Sequence, residues 1–348
     1  MFNATATHPT RRGILAAGGA VGLGAVLAAC GDDDAKSGGS GDGKAAAKSG
    51  PWSFKDDRGT TVKLDKVPTG IVAFTGVAAA LWDYGIQVKG VFGPTTTKDG
   101  KPDVQAGDID VDKVTVLGNE WGKLSVEKYA SLAPEVLVTT TFDTAGTLWS
   151  VPEDSKDKIA KLAPSVAISV FDRQLTQPLQ RMWELAESLG ADMKAKKVTD
   201  AKARFEKAAA RLRAAAKAKP EIRVLAGSAS AELFYVSGTN LSVDLEYFKA
   251  LGVNFVEPSE DAKKATGGWF ESLSWENVDK YPADVIIMDD RASTIQPADI
   301  TEGTWKQLPA VKAGQVISRS PEPILSYDKC TPLLDNLAEA IENAKKVG

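Results

Sequence analysis

Few residues in this 348-residue chain could act as catalysts, and their positions narrow the chemistry. The only histidine is His8, and the only cysteines are Cys30 and Cys330. His8 precedes a twin-arginine pair, Arg11-Arg12, and a run of small and apolar residues over 13–29, the pattern of an export signal that is removed. Without it the body holds no imidazole. A Ser-His-Asp or Cys-His nucleophile cannot be assembled, and histidine-ligated zinc or haem is excluded. Cys330 lies in YDKCTPLL before a C-terminal helix and reads as a structural thiol with no disulfide partner. General acid–base work would fall to carboxylates alone, and no enzyme, resident metal or cofactor is expected.

What remains is recognition chemistry. Trp121 in GNEWGK, Trp149 in TAGTLWSVPED and Trp269 in TGGWFES sit in polar, glycine-rich surroundings instead of periodic buried segments. Phe142, Tyr235 and Tyr327 follow or flank strand-like runs, and Arg173 and Arg291 stand beside them. Read singly, each aromatic could equally be core, and Arg291 could pair with Asp289 or Asp290. Together, aromatic faces with few free charges suit a bulky, partly apolar ligand gripped by area. A second signal is a repeat. LSVEKYASLAPEVLV (124–138) returns as LSWENVDKYPADVII (273–287), keeping Glu127 and Glu276 in register. Ser125 and Ser274 are expected N-caps, and a glutamate two residues on suits the positive end of a helix dipole.

These loops need a frame. From residue 51, strand-like runs at 70–74, 88–92, 135–140 and 166–171 alternate with amphipathic helical stretches, after an opening hairpin that turns at Asp57-Arg58-Gly59. The alternation restarts at Ile222 with IRVLAG, LFYVS, VNFVE, DVIIMDD and QVISRS. Such a pattern predicts an α/β fold of two Rossmann-like lobes with parallel strands, and a ligand cleft between them on the loops leaving the strand ends. Between the lobes, apolar residues at 198, 201, 205, 208, 212 and 215 mark one face of a long helix. Thr199 is its expected N-cap, Asp200 and Arg204 an expected i,i+4 pair, and Pro220 its stop. One rigid connector implies small closure motions. The boundaries expected are a signal over 1–29, a tether over 30–50, an N-terminal lobe over 51–197, the helix over 198–220 and a C-terminal lobe over 221–348.

The N-terminal run ends in Leu27-Ala28-Ala29-Cys30, which resembles a bacterial lipobox. In that class the cysteine thiol is lipidated, which makes Cys30 the expected membrane anchor at the outer face of the cell membrane. The stretch 31–50 has no large apolar residue and reads as a flexible tether reaching about 25 Å. Losing Arg11 and Arg12 takes the net charge from −4 to about −6, a balance against nucleic-acid binding.

In order and spacing, DDRGTTVKLDKVPTGIVAF, VKGVFG, the repeat, the long helix and TWKQLPAVKAGQVI resemble one family over nearly everything after residue 51. It is the substrate-binding lipoprotein family of ABC importers for ferric siderophores, haem and vitamin B12. The resemblance implies a monomer that captures its ligand and delivers it to a permease dimer and its ATPase. Glu127 and Glu276 would then be the contacts of the two lobes with permease arginines. GGWFESLS and ILSYDK resemble the ferric-hydroxamate branch. Trp121 stands where that branch often has an arginine, which favours a neutral or cationic tris-hydroxamate of the ferrioxamine kind over an acidic chelate. A corrinoid or haem is the alternative within the family, and a lipid-anchored sensor or assembly protein the alternative outside it.

Overall fold

The computed structural model describes residues 50–348. The export signal, Cys30 and the tether up to residue 49 lie outside the described residues. Two sheets, each with helices on its faces, form the body. In the N-terminal lobe β1 (Trp52–Lys55) and β2 (Thr61–Leu64) make the expected hairpin, followed by β3 (Ile71–Phe74), α1 (Thr75–Asp83), β4 (Gly90–Phe92) and β5 (Thr115–Gly118). The lobe continues through α2 (Val126–Ser131), β6 (Val136–Thr141), α3 (Lys156–Leu162), β7 (Ser165–Ser169) and α4 (Thr176–Ser188). Its five strands run parallel in the order β5-β4-β3-β6-β7. β3 and β6 are buried at every position, as continuous apolar strands with both faces covered should be. The hairpin closes the β7 edge. The Asp56 carboxylate caps its own turn through the Arg58 and Thr60 amides, and reaches the Ala167 amide at 3.1 Å. Gly59 supplies the left-handed φ of +82° that the turn requires.

α5 (Lys196–Ala218) joins the lobes, and the C-terminal lobe opens with β8 (Arg223–Ala229), β9 (Leu233–Ser237) and α6 (Val243–Ala250). Then come β10 (Asn254–Phe255), α7 (Glu260–Lys263), β11 (Phe270–Ser274), β12 (Val285–Asp289), α8 (Gly303–Gln307), α9 (Pro309–Lys312), β13 (Val316–Arg319) and α10 (Tyr327–Asn343). The sheet order is β11-β9-β8-β12-β13, with β10 also on β8. The expectation of parallel strands fails at β9, which is antiparallel to both β8 and β11. Residues 230–232 are too short for a crossover, so the chain must turn back on itself.

The apolar stripe of α5 is buried as the spacing predicts, from Val198 through Ala215. Its polar details differ. Ala195, not Thr199, stands at the N-cap position; the Thr199 hydroxyl bonds back to the Ala195 and Lys196 carbonyls. Asp200 pairs with Lys196, and Arg204 reaches across to Asp328 at 2.6 Å, because α10 packs along α5 and offers carboxylates. Arg211 bridges to Asp335 and Glu342 in the same way. The connector is therefore a helix pair, and other ties join the lobes: Leu175 N to Val243 O at 2.9 Å, Ser326 Oγ to Asp83 at 2.5 Å and Lys329 to Asp108 at 2.6 Å.

The two copies of the repeat are not folded alike. Ser125 caps α2 by accepting from the Lys128 amide. Ser274, the expected second N-cap, ends β11 and makes no such bond; residues Trp275–Lys280 form a 3-10 helix instead. Burial of Trp275 against Phe234 draws the chain inward there. Cys330 is fully buried, its thiol set against the Ile324 carbonyl, and burial raises its pKa. Among the described residues, no helix is long and apolar enough to cross a membrane, and no cluster of His, Cys, Asp and Glu could hold a metal ion.

Candidate functional site

Parallel strands bring the ends of β3, β6, β8, β12 and β13 to a common carboxyl edge in each lobe, and the loops leaving those edges face each other. A cleft of about 480 Å³ lies between them, within the size range of ligand pockets. The N-terminal lobe contributes Phe142, Asp143, Thr147 and Trp149; the C-terminal lobe contributes Trp269, Phe270, Asp289, Arg291, Arg319 and Glu322 among others. Beneath it a narrow slot of about 40 Å³, lined by Phe74, Thr140, Val170, Leu241 and Leu325, shares Phe142, Trp269 and Glu322.

Local backbone explains why these aromatics point inward. After β6 the chain folds back: Trp149 N donates to Thr140 O at 2.9 Å, and the Thr139 hydroxyl donates to Trp149 O. Ser150, at a φ of +62°, receives the Gly122 amide, which ties the Trp149 loop to the Trp121 loop. Gly267 and Gly268, both at positive φ, turn the chain just before β11, and Trp269, the residue that leads into that strand, meets Phe142 of the opposite lobe. Phe142 lies 4.6 Å from Trp149 and 6.3 Å from Trp269, ring centre to ring centre, so one aromatic cluster spans the two lobes.

Charges at the site are almost fully spent. Arg291 gives its Nε and Nη2 to Asp289, with Nη2 at 2.6 Å, and its Nη1 to Glu322 at 2.5 Å. Burial opposes its charge, but Asp289 and Glu322 outweigh this and hold the guanidinium above its ordinary pKa. Arg319 is held by Asp244 in a buried two-pronged pair at 2.7 and 2.8 Å. Burial pushes the Glu322 carboxyl up, against the pull of Arg291, Gln105 and Trp149. Asp143 stays easily ionised, because the Thr147 hydroxyl and amide hold its carboxyl low.

Of the residues singled out in the sequence, Phe142, Trp149, Trp269 and Arg291 come together as cleft wall. Trp121 borders them, its ring 5.9 Å from the Arg291 guanidinium, with its indole N–H buried and without a partner among the described residues. Tyr235 stands one step back, edge-on to Phe270 at 5.1 Å. Two residues lie elsewhere. Arg173 lines a separate groove beside Asp57 and Asp172. Tyr327 is the first residue of α10, and it is buried under α5 against Trp183 and Phe205. Ser326 caps α10 by accepting from the Lys329 amide, and Tyr327 beside it packs on the helix pair, outside the cleft lining. Glu322 was not foreseen; the available sign was a carboxylate between Pro321 and Pro323, directly after a strand.

Glu127 and Glu276 are exposed, and neither lines the cleft. Each carboxyl is held low by its own backbone amide and then by the hydroxyl of Ser125 or Ser274. Ser125 N bonds Leu117 O at the end of β5, and Ser274 ends β11, which runs parallel to β8. Glu127 thus follows the carboxyl end of β5 and Glu276 the carboxyl end of β11, one on each lobe.

Residues 71–323 match the family described as periplasmic binding protein. The crystal structure of DesE, a ferric-siderophore receptor protein from Streptomyces coelicolor, is 95% identical, covers 85% of this chain and 100% of its own, and superposes with a TM-score of 0.84. The iron(3+)-hydroxamate-binding protein FhuD of Bacillus subtilis is 25% identical over 85% of this chain and 87% of its own. A siderophore periplasmic binding protein from Thermobifida fusca shares the fold at 21% identity and a TM-score of 0.56, over 79% of this chain and 96% of its own. As the resemblance in its sequence implies, the chain belongs to the periplasmic binding protein family.

Proposed function

We propose that this protein captures a ferric siderophore outside the cytoplasm, a neutral or cationic tris-hydroxamate of the ferrioxamine kind, and delivers it to an ABC permease. One observation carries the choice of ligand: both arginines of the cleft are already bound to carboxylates, while three aromatic rings stand free to cover an apolar chelate. A highly anionic chelate would meet Asp143, Asp289 and Glu322 with no unspent cation to receive it. The receptor and hydroxamate-binding descriptions of the Streptomyces and Bacillus relatives support the same reading. The iron is cargo, held by the siderophore and not by protein ligands.

Delivery rests on Glu127 and Glu276. Exposed, with carboxyls held low, and one on each lobe, they suit a permease with twofold symmetry, each glutamate meeting arginines of one half. The LAAC run at Cys30 supports a lipid anchor that keeps a monomeric body beside that permease. Tryptophan quenching titrations with a ferric tris-hydroxamate, a ferric tricatecholate, haem and cobalamin test the ligand class. The hydroxamate should bind tightest; preference for the tricatecholate, haem or cobalamin would refute the proposal.

A further inference from the structure

Glu322 joins the two lobes at the floor of the cleft. The strap over residues 320–326 carries it from β13 to α10, and Pro321 and Pro323 on either side restrict its backbone. Its side chain is 11% exposed. From the N-terminal lobe, Gln105 Nε2 donates to Oε2 at 3.1 Å and Trp149 Nε1 to the same oxygen at 3.2 Å. From the C-terminal lobe, Arg291 Nη1 donates to Oε1 at 2.5 Å. Arg291 in turn lies over the Trp121 ring. One carboxylate thus orients a tryptophan and an arginine that wall the cleft from opposite sides.

Resting on the siderophore reading of the cleft, we infer that Glu322 is a positioning and specificity residue. It fixes Trp149 and Arg291 across the lobes, and it denies Arg291 to any anionic group on the ligand. The geometry gives both effects. Asp289 occupies the Nε–Nη2 edge of the guanidinium, so the Nη1 side is the one left for a ligand, and Glu322 fills it. An incoming carboxylate or catecholate oxygen would have to displace a buried, hydrogen-bonded partner and sit beside its charge. A neutral hydroxamate face has no such conflict and packs against the tryptophan that Glu322 holds.

The decisive variant is Glu322→Gln, which keeps shape and removes charge. Binding of a neutral ferric tris-hydroxamate should weaken about tenfold, the scale of a charge-assisted hydrogen bond. Binding of an anionic ferric tricatecholate should strengthen, because Arg291 then keeps only Asp289. A residue serving only to glue the lobes would weaken both alike. Parallel losses, or no change in either, overturn the inference. Positioning is read without ligand, so it survives a failure of the siderophore reading. Trp149 emission should shift to the red and become more open to acrylamide in Glu322→Gln, and that difference should vanish in a Trp149→Phe background. An unchanged spectrum overturns the positioning role. If Glu322→Gln does not fold, Gln105→Leu is the second variant. Gln105 does not line the cleft, and its Oε1 has no partner among the described residues, so leucine should be tolerated. Removing that donor should still move Trp149 emission; no movement would overturn the inference equally.

Discussion

Replacing Trp269 by alanine separates cleft from core most cleanly. Trp269 is half-buried, follows two glycines at positive φ, and touches Phe142 across the cleft. An aromatic side chain buries roughly 150–250 Å², and a bound chelate would cover about one face of it, some 75–125 Å². At about 25 cal/mol per Å², that face contributes about 2–3 kcal/mol to binding, a loss of about 30- to 150-fold in affinity. The assay is isothermal titration with a ferric tris-hydroxamate, beside thermal unfolding of the free protein. Trp305 is the control in the same lobe: 2% exposed and packed 5.7 Å from Phe234, it is core. Its alanine variant should lose about 3–5 kcal/mol of stability, with the affinity of the folded fraction unchanged. If Trp269→Ala destabilised the fold as much as Trp305→Ala and kept its affinity, the assignment of cleft residues would be refuted.

Reversing Glu127 and Glu276 to lysine together should abolish siderophore uptake by cells while leaving ligand affinity of the purified protein unchanged; full uptake would reduce both to ordinary helix-start residues. Cys30→Ala should leave the precursor uncleaved or release the protein from the membrane fraction, and unchanged fractionation with acyl labelling would count against the anchor. Asp284 gives a pH dependence. Burial works against its charge, but the amides of Arg223, Gly348 and Val347 and the Lys346 ammonium outweigh this and hold its pKa at about 2. A depressed carboxyl stabilises the fold above the unfolded-state pKa, so about 2 kcal/mol should be present above about pH 5 and lost as pH falls toward 2. Asp284→Asn should flatten that part of the pH–stability curve, as followed by urea unfolding; an unaltered slope would remove Asp284 from the account.

The sequence was most legible where burial is complete. β3, β6 and β12 are covered on both faces and read as unbroken apolar runs, and the three-four spacing of α5 announces its buried stripe. β5 and β11 were harder, because TVLG has one fully buried residue and FESLS carries alternating polar groups at a sheet edge. The second copy of the repeat looked like a capped helix since local preference favours one. Tertiary packing of Trp275 decided otherwise. Glycine-rich flanks set Trp121, Trp149 and Trp269 apart; the fold brings Trp149 and Trp269 against Phe142 and leaves Trp121 at the border, with Arg291 over its ring. Tyr327 shows the limit: an aromatic at a helix start can face either way, and here it packs against Trp183 and Phe205, residues far back along the chain. Partnerships of arginine were legible only where they are local: Arg291 pairs with Asp289 as its spacing allowed, whereas Glu322, Asp244 and Asp328, the partners of Arg291, Arg319 and Arg204, lie far along the chain.

The ties between the lobes, from the α5–α10 pair to Ser326 and Asp83, have a consequence for traffic at the permease. If these ties hold the lobes as the single long connector implies, the protein would present nearly the same outline empty and loaded, with little binding energy going into reshaping it. Empty copies then compete with loaded ones for the same docking surface. Uptake should depend on the ratio of loaded to empty receptor as well as on the amount loaded, and overproducing the protein at scarce iron should slow import.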